Sequence, residues 1–186
     1  MNDFLVEDYR NVISNQLLSN PLIVGILSND KYVDESDLEN LDKADALIDH
    51  NLIAQHYIPG VVEETGSYIM YDLDEVPMYP RDSKQNTYTE VHLMFWLVTH
   101  RGMAKYKTNI EVEPFASARN MFRNDLLARE IKKIFEYKDS LGIAPNHLIY
   151  NKTFFPDDKD YYGRVLYFTI TDWSNKVRNR GLKQNG

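Results

Sequence analysis

The sequence predicts an α+β fold: a mostly antiparallel sheet with one packed helix, preceded by an N-terminal helical extension. Three features predict it. Residues 90–100 form a long run of strict two-residue alternation, residues 116–138 carry an apolar stripe at helical spacing, and two short apolar runs near the C-terminus are joined by a polar loop. In the first of these, Val91, Leu93, Phe95 and Leu97 fall on one face. The other face carries Glu90, His92, Met94, Trp96, Val98 and His100. A half-buried strand normally alternates apolar with polar residues. A second face that mixes aromatic, apolar and polar groups predicts a cover, by a neighbouring subunit in the favoured arrangement or by the N-terminal helix 3–19 folding back in the competing one.

Taken in order, residues 3–19 place Leu5, Tyr9, Val12, Ile13 and Leu17 at helical spacing. Asn20-Pro21 ends that helix and starts a second: Asn20 suits the cap, and Pro21 suits the first helical slot, where a missing N–H costs nothing. Leu22, Ile23, Ile26 and Leu27 give the second helix its apolar face, and Ser28-Asn29-Asp30 ends it. The acidic residues 30–49 have weak periodicity and read as a partly helical connector, and Pro59-Gly60 marks a turn. A strand follows at residues 67–73, with Ile69, Tyr71 and Leu73 opposed to Tyr68, Met70 and Asp72. Pro77 and Pro80 are expected to exclude regular pairing and open a long loop over residues 76–88. After the long strand, Arg101-Gly102 turns the chain, and residues 104–113 are either a second extended piece or irregular. In the helix, Met121, Leu126, Leu127, Ala128, Ile131, Ile134 and Phe135 form the stripe. Lys132, Lys133 and Lys138 favour its C-terminal dipole, and Gly142 is the expected stop. The closing strands are placed at residues 147–150 and 164–171, paired antiparallel. Three regions result: a helical and acidic part at 1–60, an α+β domain at 61–175 and a basic tail at 176–186.

Composition excludes several chemistries. The 186 residues contain no cysteine, which removes disulfides, thiolate metal ligands and cysteine nucleophiles. The formal charge of −7 argues against general or specific nucleic-acid binding. No apolar run approaches the roughly 18 residues of a membrane span. The acidic Met1-Asn2-Asp3 opening does not resemble a secretory leader. Charge is uneven. Eight acids between Asp30 and Asp49 face only Lys31 and Lys43, whereas Lys176, Arg178, Arg180 and Lys183 follow the last acid, Asp172. Such patches can order neighbouring copies in an assembly. The 13 tyrosines suit interfaces, where the ring buries area while the hydroxyl stays bonded.

Catalytic motifs do not assemble. Asp72, Asp74 and Glu90 lie at strand ends, but a metal-dependent nuclease commonly places lysine two residues beyond the glutamate, and here that residue is His92. Pro156-Asp157 has no partner Glu-x-Lys downstream. His50 and His56 have neither helical nor common zinc spacing. His92 and His100 share a strand face but stand about 26 Å apart by strand rise, and His147 is distant in sequence from both. No Gly-x-Ser-x-Gly elbow and no phosphate-binding glycine loop is present. The expectation is no catalytic, cofactor-binding or metal-binding residue, no cofactor and no enzymatic activity.

The order of elements resembles a known family. The helical lead through Asn20-Pro21-Leu22-Ile23-Val24-Gly25-Ile26-Leu27, the acidic connector, the strand at 67–73, the loop, the strand at 90–100, the helix at 116–138 and the closing pair are together similar to the small neck and tail-terminator proteins of tailed bacteriophages. The resemblance covers most of residues 67–173 by architecture. It implies a non-enzymatic virion protein, assembled in the host cytoplasm into a ring that is commonly a hexamer. The ring's partners are the tail tube and the head connector, with no membrane. Loop 76–88 would reach a neighbour, and the acidic connector and basic tail would order on assembly. The rival readings are a metal-dependent nuclease or other phage hydrolase, and a monomeric regulator that binds its partner through Met94 and Trp96.

Overall fold

The computed structural model describes residues 3–28, 46–55, 65–77, 89–106, 121–138, 141, 146–156 and 158–172. Helices α1 (Asp3–Leu18) and α2 (Pro21–Leu27) come first. Strands β1 (Leu52–Ile53), β2 (Ser67–Pro77), β3 (Thr89–His100), β4 (Lys105–Tyr106) and β5 (Met121–Phe122) follow. Helix α3 (Arg123–Phe135) and strands β6 (His147–Phe154) and β7 (Tyr161–Asp172) come last among the described elements. The main sheet has the order β1-β2-β3-β7-β6, and β4 and β5 form a separate small ladder. Among the described strands the pairings are antiparallel except β1 with β2. The predicted α+β class, with its mostly antiparallel sheet and N-terminal helix, is the class observed.

The sheet core follows the alternation. Ile69 and Tyr71 of β2, Val91, Leu93, Phe95 and Leu97 of β3, and Leu166, Phe168 and Ile170 of β7 form one buried cluster with Leu127, Ile131 and Phe135 of α3. Ile134 packs against that cluster partly buried. Rings organise the centre: Phe95 lies 5.4 Å from Phe135 and 6.0 Å from Phe168 between centroids. Each such side chain stabilises the fold by about 1.5–3 kcal/mol through burial.

α1 and α2 share this core through Ile13, Leu17, Leu22, Ile23, Ile26 and Leu27. The three described helices therefore lie on one face of the sheet. Val12, counted with the α1 stripe, is instead 39% exposed. The Tyr71 hydroxyl crosses to α1, donating to the Arg10 carbonyl at 3.0 Å and sharing a 2.6 Å bond with Ser14. Burial is the main reason its phenol pKa lies above the usual value.

Asn20 caps α2 as expected, its Oδ1 accepting from the N–H groups of Leu22 and Ile23. Its Nδ2 has a second task and donates to Glu130 of α3 at 3.2 Å. Glu130 is buried and also accepts from Arg129 at 2.7 Å and Lys133 at 2.9 Å. Burial alone would raise its pKa, but the bonds from Arg129, Lys133 and Asn20 outweigh that and hold the carboxyl below its ordinary 4.5. A depressed carboxylate contributes stability above its unfolded pKa and loses it as pH falls through the folded value. Glu130→Gln is accordingly expected to cost about 1.5–3 kcal/mol at neutral pH. The difference from wild type should shrink as pH drops below 4.5. Denaturant melts across that range test it, and a pH-independent difference would rule the charge out as the cause.

Several boundaries differ from expectation. β2 runs on to Pro77, which pairs with Thr89, because a strand's last residue tolerates a missing donor. α3 starts at Arg123, not near residue 116. Phe122 before it keeps an extended backbone (φ −68°, ψ 135°), and Met121–Phe122 pairs with β4 instead. The helix stops at Phe135 with an extended Glu136, and the left-handed residue is Tyr137 (φ 58°). The closing strands are longer than predicted on both sides of their loop. The connector to residue 45, Pro59-Gly60, loop residues 78–88, residues 107–120, Gly142, Asp157 and the tail from residue 173 lie outside the described residues.

Candidate assembly surface

The sheet face turned away from the helices is built in rungs. Met70, Trp96, Val165 and Lys152 stand side by side across β2, β3, β7 and β6. The next rung is Tyr68, Val98, Gly163 and Phe154. There the Phe154 ring lies so close over Gly163 that a β-carbon at that position would overlap it. Glycine is thus required by the close approach, and the ring fills the gap in the pleat. Tyr68, Met70, Trp96, Val98 and Tyr161 form a second buried cluster, with Ile53, Met94, Phe154 and Val165 packed at its margin.

On the other side of Trp96 the rung is Asp72, Met94, Tyr167 and Tyr150. Tyr150 and Tyr167 stack with planes 7° apart and centroids at 5.1 Å. His92 meets Tyr167 edge-on at 5.1 Å. Lys152 Nζ lies 5.3 Å from the Tyr150 centroid, a cation–π contact worth about 0.5–1 kcal/mol at an exposed site. His92, Met94, Tyr150 and Tyr167 are all half-buried and form an aromatic band open to solvent.

The sequence predicted that this whole face, Trp96 included, is buried by a neighbouring subunit. The structure corrects that at Trp96, which is only 8% exposed within the single chain. The alternative cover, α1 folded over this face, does not occur either, because α1 packs against the Phe95 face. What stays accessible is the band at His92, Met94, Tyr150 and Tyr167.

The predicted polar residues are scattered. Asp72 pairs with Arg10 of α1 at 3.6 Å. Asp74 stands opposite His92, and Glu90 opposite Val76. His100 accepts from the Gly102 N–H at 3.2 Å and packs on Tyr161, His147 packs on Tyr137, and His50 is exposed. His56 lies outside the described residues. Among the described residues no group of three or more His, Asp or Glu is disposed to hold a metal ion, and no helix is long and apolar enough to cross a membrane.

Two polar clusters were missed. Thr99 and Ser67 face the helices, and their hydroxyls lie 3.2 Å apart. Thr99 donates to Asn124 Oδ1 at 2.6 Å, while Asn124 Nδ2 donates to the carbonyls of Leu97 and Tyr162. Arg123 Nη1 donates to the Ile26 carbonyl at the end of α2. Nearby, Arg164 binds Asp125 at 2.6 Å and Asn151 at 2.7 Å, beside a cleft of about 200 Å³ lined by Phe122, Asn124, Thr153 and Tyr162. These groups tie α3 to α2, β2, β3 and β7. The alternation did carry a signal, since Ser67 and Thr99 fall on the otherwise apolar faces of their strands.

One family model, YomW, matches residues 20–170, the span from the cap of α2 to Ile170 near the end of β7. No curated protein matches the chain.

Proposed function

From the premise that this chain belongs to the YomW family, a phage-related family, we propose that it is a non-enzymatic virion protein. It forms an oligomeric ring at the phage neck or upper tail and joins the tail tube to the head connector. The observation that carries this reading is the aromatic band of His92, Met94, Tyr150 and Tyr167. It is a half-exposed surface on a sheet face that no helix covers among the described residues, rich in the residue type that interfaces favour. The band adjoins the buried Met70–Trp96–Val98 cluster on the same face, so it offers a preformed surface. The mechanism is assembly: a stiff sheet forms the wall, and its aromatic side meets the adjoining component.

Light scattering and electron microscopy of the purified chain test the proposal. The expected result is a closed multi-subunit particle with a central opening. A protein that stays monomeric at all accessible concentrations would overturn the ring. Incubation with DNA and Mg²⁺ or Mn²⁺ should leave the DNA intact, and cleavage abolished by Glu90→Ala would replace a structural role with a hydrolytic one.

A further inference from the structure

We infer that copies of this chain join head to tail by strand addition, with the far end of β2 in one copy pairing antiparallel with β6 of the next. The inference rests on the ring reading above and names the surfaces through which the ring closes.

The strand order leaves the sheet two edges. On one side β1 borders β2 only at Ile69 and Met70. Arg10 reaches Asp72 just beyond. Among the described residues, 73–77 have no strand partner on that side. On the other side β6 is outermost, and a bulge between Leu148 and Tyr150 leaves residues 150–154 as its regular stretch. The two stretches match in length, at about 17 Å each. On β2 the Leu73 N–H is held by the Asp72 carboxylate, and Pro77 has none. Glu75 therefore supplies the outward N–H, and the carbonyls of Leu73, Glu75 and Pro77 supply the acceptors.

Direction matches as well. β2 and β7 run one way, β3 and β6 the other. A second copy laid alongside with its helices on the same side therefore presents β2 antiparallel to β6. Charge matches too. Asp74 is exposed on the helix-free face of β2, and Glu75 follows it. Lys152 is exposed on the same face of β6, a strand whose eight residues include no acid. Lys152 is level with Met70 within one chain, so the next copy shifts along the strands by the four residues from Met70 to Asp74. The shift sets Asp74 beside Lys152 on one face of the junction, where opposite charges on neighbouring strands attract.

The same charges disfavour the self-complementary alternatives. Pairing β6 with β6 opposes lysine to lysine, and pairing β2 with β2 opposes acid to acid. A bulge and a lysine are also devices that guard a free edge. A guard alone does not account for an acidic edge matched in length, face and direction on the opposite side. Ile149, 54% exposed at the bulge, would gain cover from the added strand. Such a contact joins unlike surfaces, so it repeats from copy to copy and closes wherever the rotation permits.

The absence of cysteine makes the test clean. Full-length Asp74→Cys and Lys152→Cys proteins are oxidised, or treated with a short bismaleimide, separately and mixed. The expected result is a cross-linked pair only in the mixture. In uncrosslinked proteins, Asp74→Lys and Lys152→Asp should each weaken self-association about tenfold, and mixing the two should restore it. Cross-linking of Lys152→Cys to itself would overturn the head-to-tail arrangement in favour of a two-fold one. Particles that form without any cross-link would overturn the edge assignment while leaving the ring intact. No particle and no cross-link would overturn both.

Discussion

Phe135→Ala is expected to lower the stability of the chain by about 3–5 kcal/mol, the cost of emptying an aromatic-sized volume in a close-packed core. Phe135 is fully buried, and its ring touches both Phe95 and Phe168, so its loss opens a void between α3 and the two central strands. Neighbouring rings cannot collapse into that space freely, because β3 and β7 are paired along twelve residues. A domain of this size holds only about 5–15 kcal/mol in total, so the variant should show a clearly lowered denaturation midpoint. Phe122→Ala is the control. That ring is nearly half exposed, and its removal should shift stability by about 0.5 kcal/mol or less. Equal effects from the two changes would mean that α3 does not pack on the sheet through Phe135.

Asn124→Ala should cost about 2–4 kcal/mol, for a different reason. Its amide serves one hydroxyl and two carbonyls at once, with Thr99 at 2.6 Å, Tyr162 at 3.1 Å and Leu97 at 3.3 Å. Each buried polar partner left unserved costs about 1–3 kcal/mol. Asn124→Asp keeps the shape and the acceptor but loses both N–H donors, turning a carboxylate toward two carbonyls in a dry site. It should be at least as damaging as alanine at neutral pH. Equilibrium denaturation of the two variants decides the matter, and an aspartate variant as stable as wild type would dismiss the amide as an organising group.

The contrast between these two residues shows what could be read in advance. Phe135 was predictable because α3 repeats its apolar residues at helical spacing and β3 at strand spacing, and burial follows periodicity. The cap at Asn20 was predictable because its partners are two and three residues away. Asn124 and Glu130 were not, since a polar residue on a helix reads as solvent-facing until its partners are known. Glu130 finds one of them 110 residues earlier, at Asn20. β1 escaped notice because two residues carry no periodicity. Its position depends on Asn51, whose side chain donates to the Ser67 carbonyl and whose own carbonyl accepts from the Ile69 N–H. The face of Trp96 was misjudged because mixed composition looked like an unfinished surface. Among the described residues, most of it is closed by side chains lying along the sheet, such as Phe154 over Gly163. The polar candidates were read one by one, and the structure leaves them apart.

The attachment of α2 to α3 bears on the order in which the chain folds. α2 is seven residues long, well short of the about 12–15 that sustain an isolated helix in water. It is held at its start by Asn20 on Glu130 and at its end by Arg123 on the Ile26 carbonyl. Both anchors sit on α3, roughly a hundred residues downstream. The short helix therefore cannot be an early nucleus. Its consolidation is expected to follow the docking of α3 on the strands, with the amides of the two helices exchanging hydrogen at a common opening rate, and α2 amides protected before those of α3 during refolding would overturn that order.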